Sequence, residues 1–93
     1  MEKTIKWRKK ARKSLFATVE YLEEEWGETV KNSFLGRVQT TIVLLKIFPK
    51  MGPPSPKNPD FRKIIVEPHH SIIYQVFEDR IVISEFKDNR SKP

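Results

Sequence analysis

Four of the chain's seven prolines fall in one short stretch, Pro53-Pro54-Ser55-Pro56-Lys57-Asn58-Pro59, directly after Gly52. Proline fixes its own backbone dihedral and pushes the preceding residue out of helical space. Residues 49–60 must therefore be a loop. Apolar residues recur at helical spacing before it and at a period of two after it. The loop divides the chain near residue 50 into a helical half and a strand half, and it is too short to separate two domains. At 93 residues, the chain has the length of one domain, spanning 1–93.

In the first half, Ala11, Leu15, Val19, Leu22 and Trp26 follow steps of four, four, three and four. That is a helical stripe, and Phe16 widens it. Gly27 interrupts the pattern and suits a helix C-terminus or a tight turn. A second stripe runs through Val30, Phe34, Val38, Thr41, Ile42, Leu45 and Phe48 and stops before Pro49. The two stripes predict an antiparallel helical hairpin with a very short connection. Ahead of it, Lys3 to Trp7 alternates and reads as an edge strand with Ile5 and Trp7 inward.

In the second half, Phe61–Glu67, Ile72–Phe77 and Arg80–Phe86 each read as a strand. Pro68-His69-His70-Ser71 and Glu78-Asp79 are short enough to make them an antiparallel meander. Neither face is cleanly polar: Ile64 and Ile65 both call for cover, as do Ile72 and Ile73. One face packs on the helices. The other leaves apolar surface for a partner chain, or for a sheet coiled around its own side chains. The fold class is α+β: an N-terminal edge strand, a two-helix hairpin and a three-stranded antiparallel meander in a small twisted sheet. Such a layout does not decide function.

Composition removes several function classes. Cysteine is absent, which excludes disulfides, thiolate metal sites and a cysteine nucleophile. Two adjacent histidines are too few for most zinc sites, and on a strand they would point to opposite faces. No metal or cofactor is expected. No run of eighteen apolar residues is present, and the basic N-terminus has no apolar stretch behind it. The expectation is a cytoplasmic protein.

The net charge of +6 is unevenly spread: residues 1–13 carry +6, 14–36 carry −4, 37–63 carry +5 and 64–93 carry −1. Two basic blocks flank an acidic one, which favours a polyanion or an acidic partner. Glu23-Glu24-Glu25 has no second acid cluster to pair with and reads as a solvated face. Lys50, Arg62, Lys63, Arg80 and Arg90 are the candidate target-binding cations, since cations on neighbouring strands clamp phosphates. His69 and His70 are candidate bases that fall in the expected turn, where an exposed histidine is more often without a role. Tyr74, in mid-strand, is more often structural.

In order and spacing, these pieces resemble the RelE/ParE-type toxins of bacterial type II toxin–antitoxin modules. The resemblance rests on the strand ending in Trp7, the helix opening Lys10-Ala11-Arg12-Lys13-Ser14-Leu15, and the helix exit Leu44-Leu45-Lys46-Ile47-Phe48-Pro49-Lys50-Met51-Gly52. Phe61–Val66, Ser71–Val76, Ile81-Val82-Ile83 and the ending Asp88-Asn89-Arg90-Ser91-Lys92-Pro93 complete it. It implies the fold above and a toxin that poisons DNA gyrase or, in the other branch, cleaves messenger RNA in the ribosomal A site without a metal. It also implies neutralisation by an antitoxin encoded beside it. Carried over by position, Arg62 matches a basic strand residue and Arg90 a terminal arginine, while Tyr74 matches a framework tyrosine. Ser71 stands where the nucleases of the family commonly carry an arginine, and no tyrosine or histidine follows Arg90. His70 is the neighbouring substitute. The catalytic candidates are thus Arg62, His70 and Arg90, in an incomplete set that favours gyrase or an inactivated toxin. A non-catalytic binding module on the same scaffold and a small basic RNA-binding protein remain as alternatives, the latter without a stacking platform. Arg62 and Arg90 are expected near one another on the solvent side of the sheet.

Overall fold

The computed structural model describes residues 3–90. The elements are β1 (Thr4–Trp7), α1 (Lys9–Trp26), α2 (Glu28–Ile47), β2 (Arg62–Glu67), β3 (His70–Val76) and β4 (Arg80–Asp88). The four strands form one sheet in the order β1-β4-β3-β2. β2, β3 and β4 are the expected antiparallel meander. β1 lies at the edge, and it runs parallel to β4, with Thr4 beside Arg80 and Trp7 beside Ile83. The edge strand thus joins the antiparallel meander in the parallel sense. Parallel neighbours need a long crossover, and everything from Lys9 to Asp79 supplies it.

A single residue joins the helices. Gly27 has φ 93° and ψ 177°, a backbone conformation that side chains disfavour. Its N–H donates to the Glu23 carbonyl, and its own carbonyl accepts from the Lys31 N–H. It therefore ends α1 and opens α2 at once.

Ala11, Phe34, Val38 and Leu45 from the helices and Ile72, Tyr74, Ile81, Ile83 and Phe86 from the sheet form the core. Leu15, Val19, Leu22 and Ile42 border it. Four expected stripe members are outside it: Trp26 is 66% exposed, Phe16 60%, Phe48 58% and Val30 41%. Trp26 and Val30 flank the hairpin tip. Phe16 lies one position off the buried stripe, and Phe48 follows the end of α2 at φ −125°.

The sheet keeps its apolar face inward by a β-bulge. Ile73 is opposite Glu85 but Tyr74 is opposite Ile83, which leaves Ser84 without a cross-strand partner. The extra residue resets the alternation, so Phe86, Ile83 and Ile81 all join the core. The Ser84 hydroxyl is buried without a hydrogen bond. On the outer face Ile65 remains 64% exposed, whereas Ile73 borders a shallow depression walled by Pro53–Asn58 of the loop. The loop also pairs with the start of β2: Ser55 N–H donates to the Phe61 carbonyl and Lys63 N–H to that of Pro53.

Candidate functional site

Two constellations of polar side chains lie at opposite ends of β2 and β3. The first surrounds the exit of α2. Arg62 faces Tyr74 across the sheet. Its guanidinium donates to the Gly52 carbonyl at 2.7 Å and to the Lys50 carbonyl at 3.3 Å. The Tyr74 hydroxyl accepts from the Gly52 N–H at 2.9 Å. Tyr74 is fully buried, and burial pushes its phenol above the ordinary value, against the opposing pull of the Gly52 hydrogen bond and the Arg62 charge. A side chain at Gly52 would meet the Lys63 carbonyl oxygen at 2.6 Å. Arg62 and Tyr74 together clamp the chain as it leaves α2.

The second constellation lies between the hairpin tip, the β2–β3 turn and the end of β4. It frames an open groove of about 610 Å³, walled by Tyr21, Trp26 and Phe34 on the helical side and by Glu67, His69, His70 and Arg90 on the sheet side. Arg37 of α2 completes the rim. His70 corrects the expectation of an exposed turn residue. It is the first residue of β3 and 4% exposed. Its ring stacks on Phe86 at 5.4 Å between centroids and meets the edge of Phe34 at 5.3 Å. Its Nδ1 is 2.5 Å from Glu67 Oε1, which also accepts the His69 N–H at 3.0 Å. Glu67 thus closes the turn from beneath, and His70 serves as part of the core. His69 and Arg90 are exposed on the groove.

Arg90 donates from Nε and Nη2 to the two oxygens of Asp88, both at 3.1 Å. That bidentate hydrogen bond holds the Asp88 carboxyl below its ordinary value and raises the guanidinium above its own. The Asn89 N–H donates to the His69 carbonyl and the Ser71 hydroxyl to Asn89 Oδ1, which fastens the segment to the turn.

The structure does not bring Arg62 and Arg90 together. Tyr74, opposite Arg62, and His70, opposite Asp88, are four residues apart on β3, or roughly 13 Å at the rise of a strand. The other cations are dispersed as well. Lys63 points to the outer face beside the proline loop, and Lys50 lies by the α2 exit with Phe48 and Met51. Arg80 covers the Phe77 ring at 4.5 Å and pairs with Asp79 at the β3–β4 turn. Lys50, Arg62, Lys63, Arg80 and Arg90 thus do not share one face. Residues 91–93, part of the ending that carried the resemblance, lie outside the described residues. The sequence reading missed Glu67, Tyr21 and Trp26 as groove residues. Glu67 was legible as an acid three positions before His70, a spacing that a tight turn closes.

A family model described as the ParE toxin of type II toxin–antitoxin system, parDE, matches residues 5–92. The chain belongs to the ParE toxin family. Three solved structures share its fold. The chromosomal ParDE toxin–antitoxin system of P. aeruginosa superposes with a TM-score of 0.77 at 19% identity, over 94% of this chain and 96% of that one. The YoeB dimer of Staphylococcus aureus gives 0.66 at 12% identity, over 94% and 97%. The E. coli DinJ-YafQ toxin–antitoxin complex gives 0.64 at 13% identity, over 95% and 93%. No curated protein sequence matches. The ParE assignment implies a cognate antitoxin. No helix among the described residues is long and apolar enough to cross a membrane.

Proposed function

We propose that this ParE-family chain is a toxin that arrests growth by acting on DNA gyrase as a binding protein, without cleaving RNA. The observation that carries the choice is the commitment of His70 and Tyr74 to the fold. The His70 imidazole is buried between two phenyl rings and paired with Glu67, and the Tyr74 hydroxyl is buried against Gly52. Neither ring presents itself to an incoming ribose. Of the other catalytic candidates, Arg62 directs its guanidinium to main-chain carbonyls and Arg90 is paired with Asp88. The contact surface on this reading is the groove at the hairpin tip. There Trp26 offers an aromatic anchor of the kind that dominates protein interfaces, and Arg37 and Arg90 offer charge.

The antitoxin is expected to be a short acidic or amphipathic chain. The exposed edge of β2 supports that expectation. Among the described residues the proline loop pairs with this edge only as far as Lys63. Beyond it, Ile65 stands open beside a second groove of about 520 Å³ lined by Arg37, Leu44, Met51 and Ile64. An added strand with a flanking helix would cover both.

The test uses the purified chain in a gyrase supercoiling assay with and without the product of the adjacent gene. Inhibition with accumulation of cleaved DNA, relieved by the neighbour, is the expected result. No effect on gyrase would remove this reading. The second reading, a ribosome-dependent messenger RNA endonuclease, is favoured by one feature: His69 is exposed on the groove with Arg37 and Arg90. Mapping of transcript 5′ ends after induction separates the two. Co-purification with the neighbour but no growth arrest would identify a non-catalytic binding module.

A further inference from the structure

Helix α1 carries charge of the wrong sign at both ends. Lys9 and Lys10 stand in its first turn with no acid, and Glu23, Glu24 and Glu25 stand near its C-terminus with no base in the last turn. A helix favours the reverse at each end. Along the outward face Lys9 and Lys13 are four residues apart, as are Glu20 and Glu24, so both neighbouring pairs repel. All four are exposed, and among the described residues none has a salt-bridge partner. Between the two pairs lies Phe16, 60% exposed, next to exposed Ala17. Lys31 of α2 offsets Glu23 at 3.1 Å, which leaves the four outward charges uncompensated among the described residues.

The pattern has a hidden symmetry. Lys13 and Lys9 lie three and seven residues before Phe16, and Glu20 and Glu24 lie three and seven residues after Ala17. Every lysine has a glutamate at the same distance on the other side of the point between Phe16 and Ala17. Two copies of α1 laid antiparallel would set Lys9 against Glu24, Lys13 against Glu20, and Phe16 against Ala17, each contact occurring twice. We infer that the outward face of α1 is a self-complementary surface that pairs with a second copy of this chain about a two-fold axis. A two-fold contact of this kind requires that each residue's partner be found on the same patch, and this stripe meets that condition in both charge and apolar position. The pairing also opposes the two helix dipoles and places each charge next to its opposite. The inference does not depend on which target the toxin acts on, because the face lies away from the sheet and from the groove's sheet-side residues.

One helix crossing one helix is smaller than a standard interface, so the dimer is weak, with a dissociation constant on the order of 10–100 µM. Its central contact is apolar, and its flanks are exposed ion pairs that salt screens.

The experiment is sedimentation velocity on the purified free chain across that concentration range, at about 50 mM and about 500 mM salt. The expected result is a monomer–dimer equilibrium that weakens about tenfold at the higher salt. The double variant K9E/K13E makes the whole face acidic, and E20K/E24K makes it basic. Each should be folded by circular dichroism and monomeric alone, and an equimolar mixture should form a one-to-one heterodimer tighter than the wild-type pair. F16S should remove association in the wild-type background. A wild-type chain that stays monomeric throughout overturns the inference, as does a dimer indifferent to these substitutions or a mixture of the two folded charge variants that fails to associate.

Discussion

The α2 exit and the hairpin tip hold similar residues in opposite employment. At the exit, an arginine and a tyrosine turn inward and satisfy main-chain atoms at Lys50 and Gly52. At the tip, Trp26 and Tyr21 turn outward, and Arg90 is held by its own neighbour, Asp88, at the surface. On the proposed reading, the exit serves stability and the tip recognition. An arginine on a strand of a basic protein indicates neither role until its hydrogen-bond partners are known. Substitutions at the two ends should separate stability from activity.

The largest effect is expected at Gly52. Alanine there drives a methyl group against the Lys63 carbonyl at 2.6 Å, and the exit must shift. The cost should be about 2–4 kcal/mol, seen as a fall of roughly 10–25 °C in thermal midpoint. Next is Arg62→Ala, which leaves two carbonyls without their charged donor. A loss of about 1–3 kcal/mol is expected, with gyrase inhibition by the remaining folded protein unchanged. Intact stability with lost inhibition would reverse the assignment of the exit.

Tyr74→Phe removes one buried hydrogen bond and should cost about 1 kcal/mol, measured by urea unfolding. Trp26→Ala is the counterpart at the tip. Its stability change should stay within about 0.5 kcal/mol, while target inhibition falls about tenfold or more. A tip variant that unfolds the protein would erase the contrast.

The smallest effect concerns pH. The Asp88 carboxyl is held low by Arg90, so its contribution is complete above the ordinary carboxylate value and is lost as pH falls through the depressed one. Screening makes the contribution to stability small. The carbon-13 titration of Asp88 should shift to a higher midpoint in an Arg90→Ala variant.

Much of the architecture was legible because it depends on period and on proline chemistry. The loop at Pro53–Pro59, the helical stripe through Phe34, Val38 and Leu45 and the meander all follow from local pattern. What escaped was set by distant geometry. The parallel docking of β1 depends on a strand that begins 76 positions after it. The bulge at Ser84 has no glycine or proline to announce it. Trp26 continued an apolar stripe that ran past the sheet meant to cover it. In the candidate site, side-chain orientation was not legible. His70 looked like a turn histidine because Pro68 precedes it, but the turn needs only Pro68 and His69, and the strand resumes with His70 facing Phe34 and Phe86.

The pairing of β1 with β4 also bears on birth order. Lys3 and Thr4 are made more than seventy residues ahead of their ammonium and backbone partners, the carbonyls of Phe77, Glu78 and Asp79. At about 5–20 residues per second, the opening strand waits several seconds for the closing one, and loop closure over that separation is slow. The sheet therefore stays unfinished, with one flank of β1 open, until β4 has emerged.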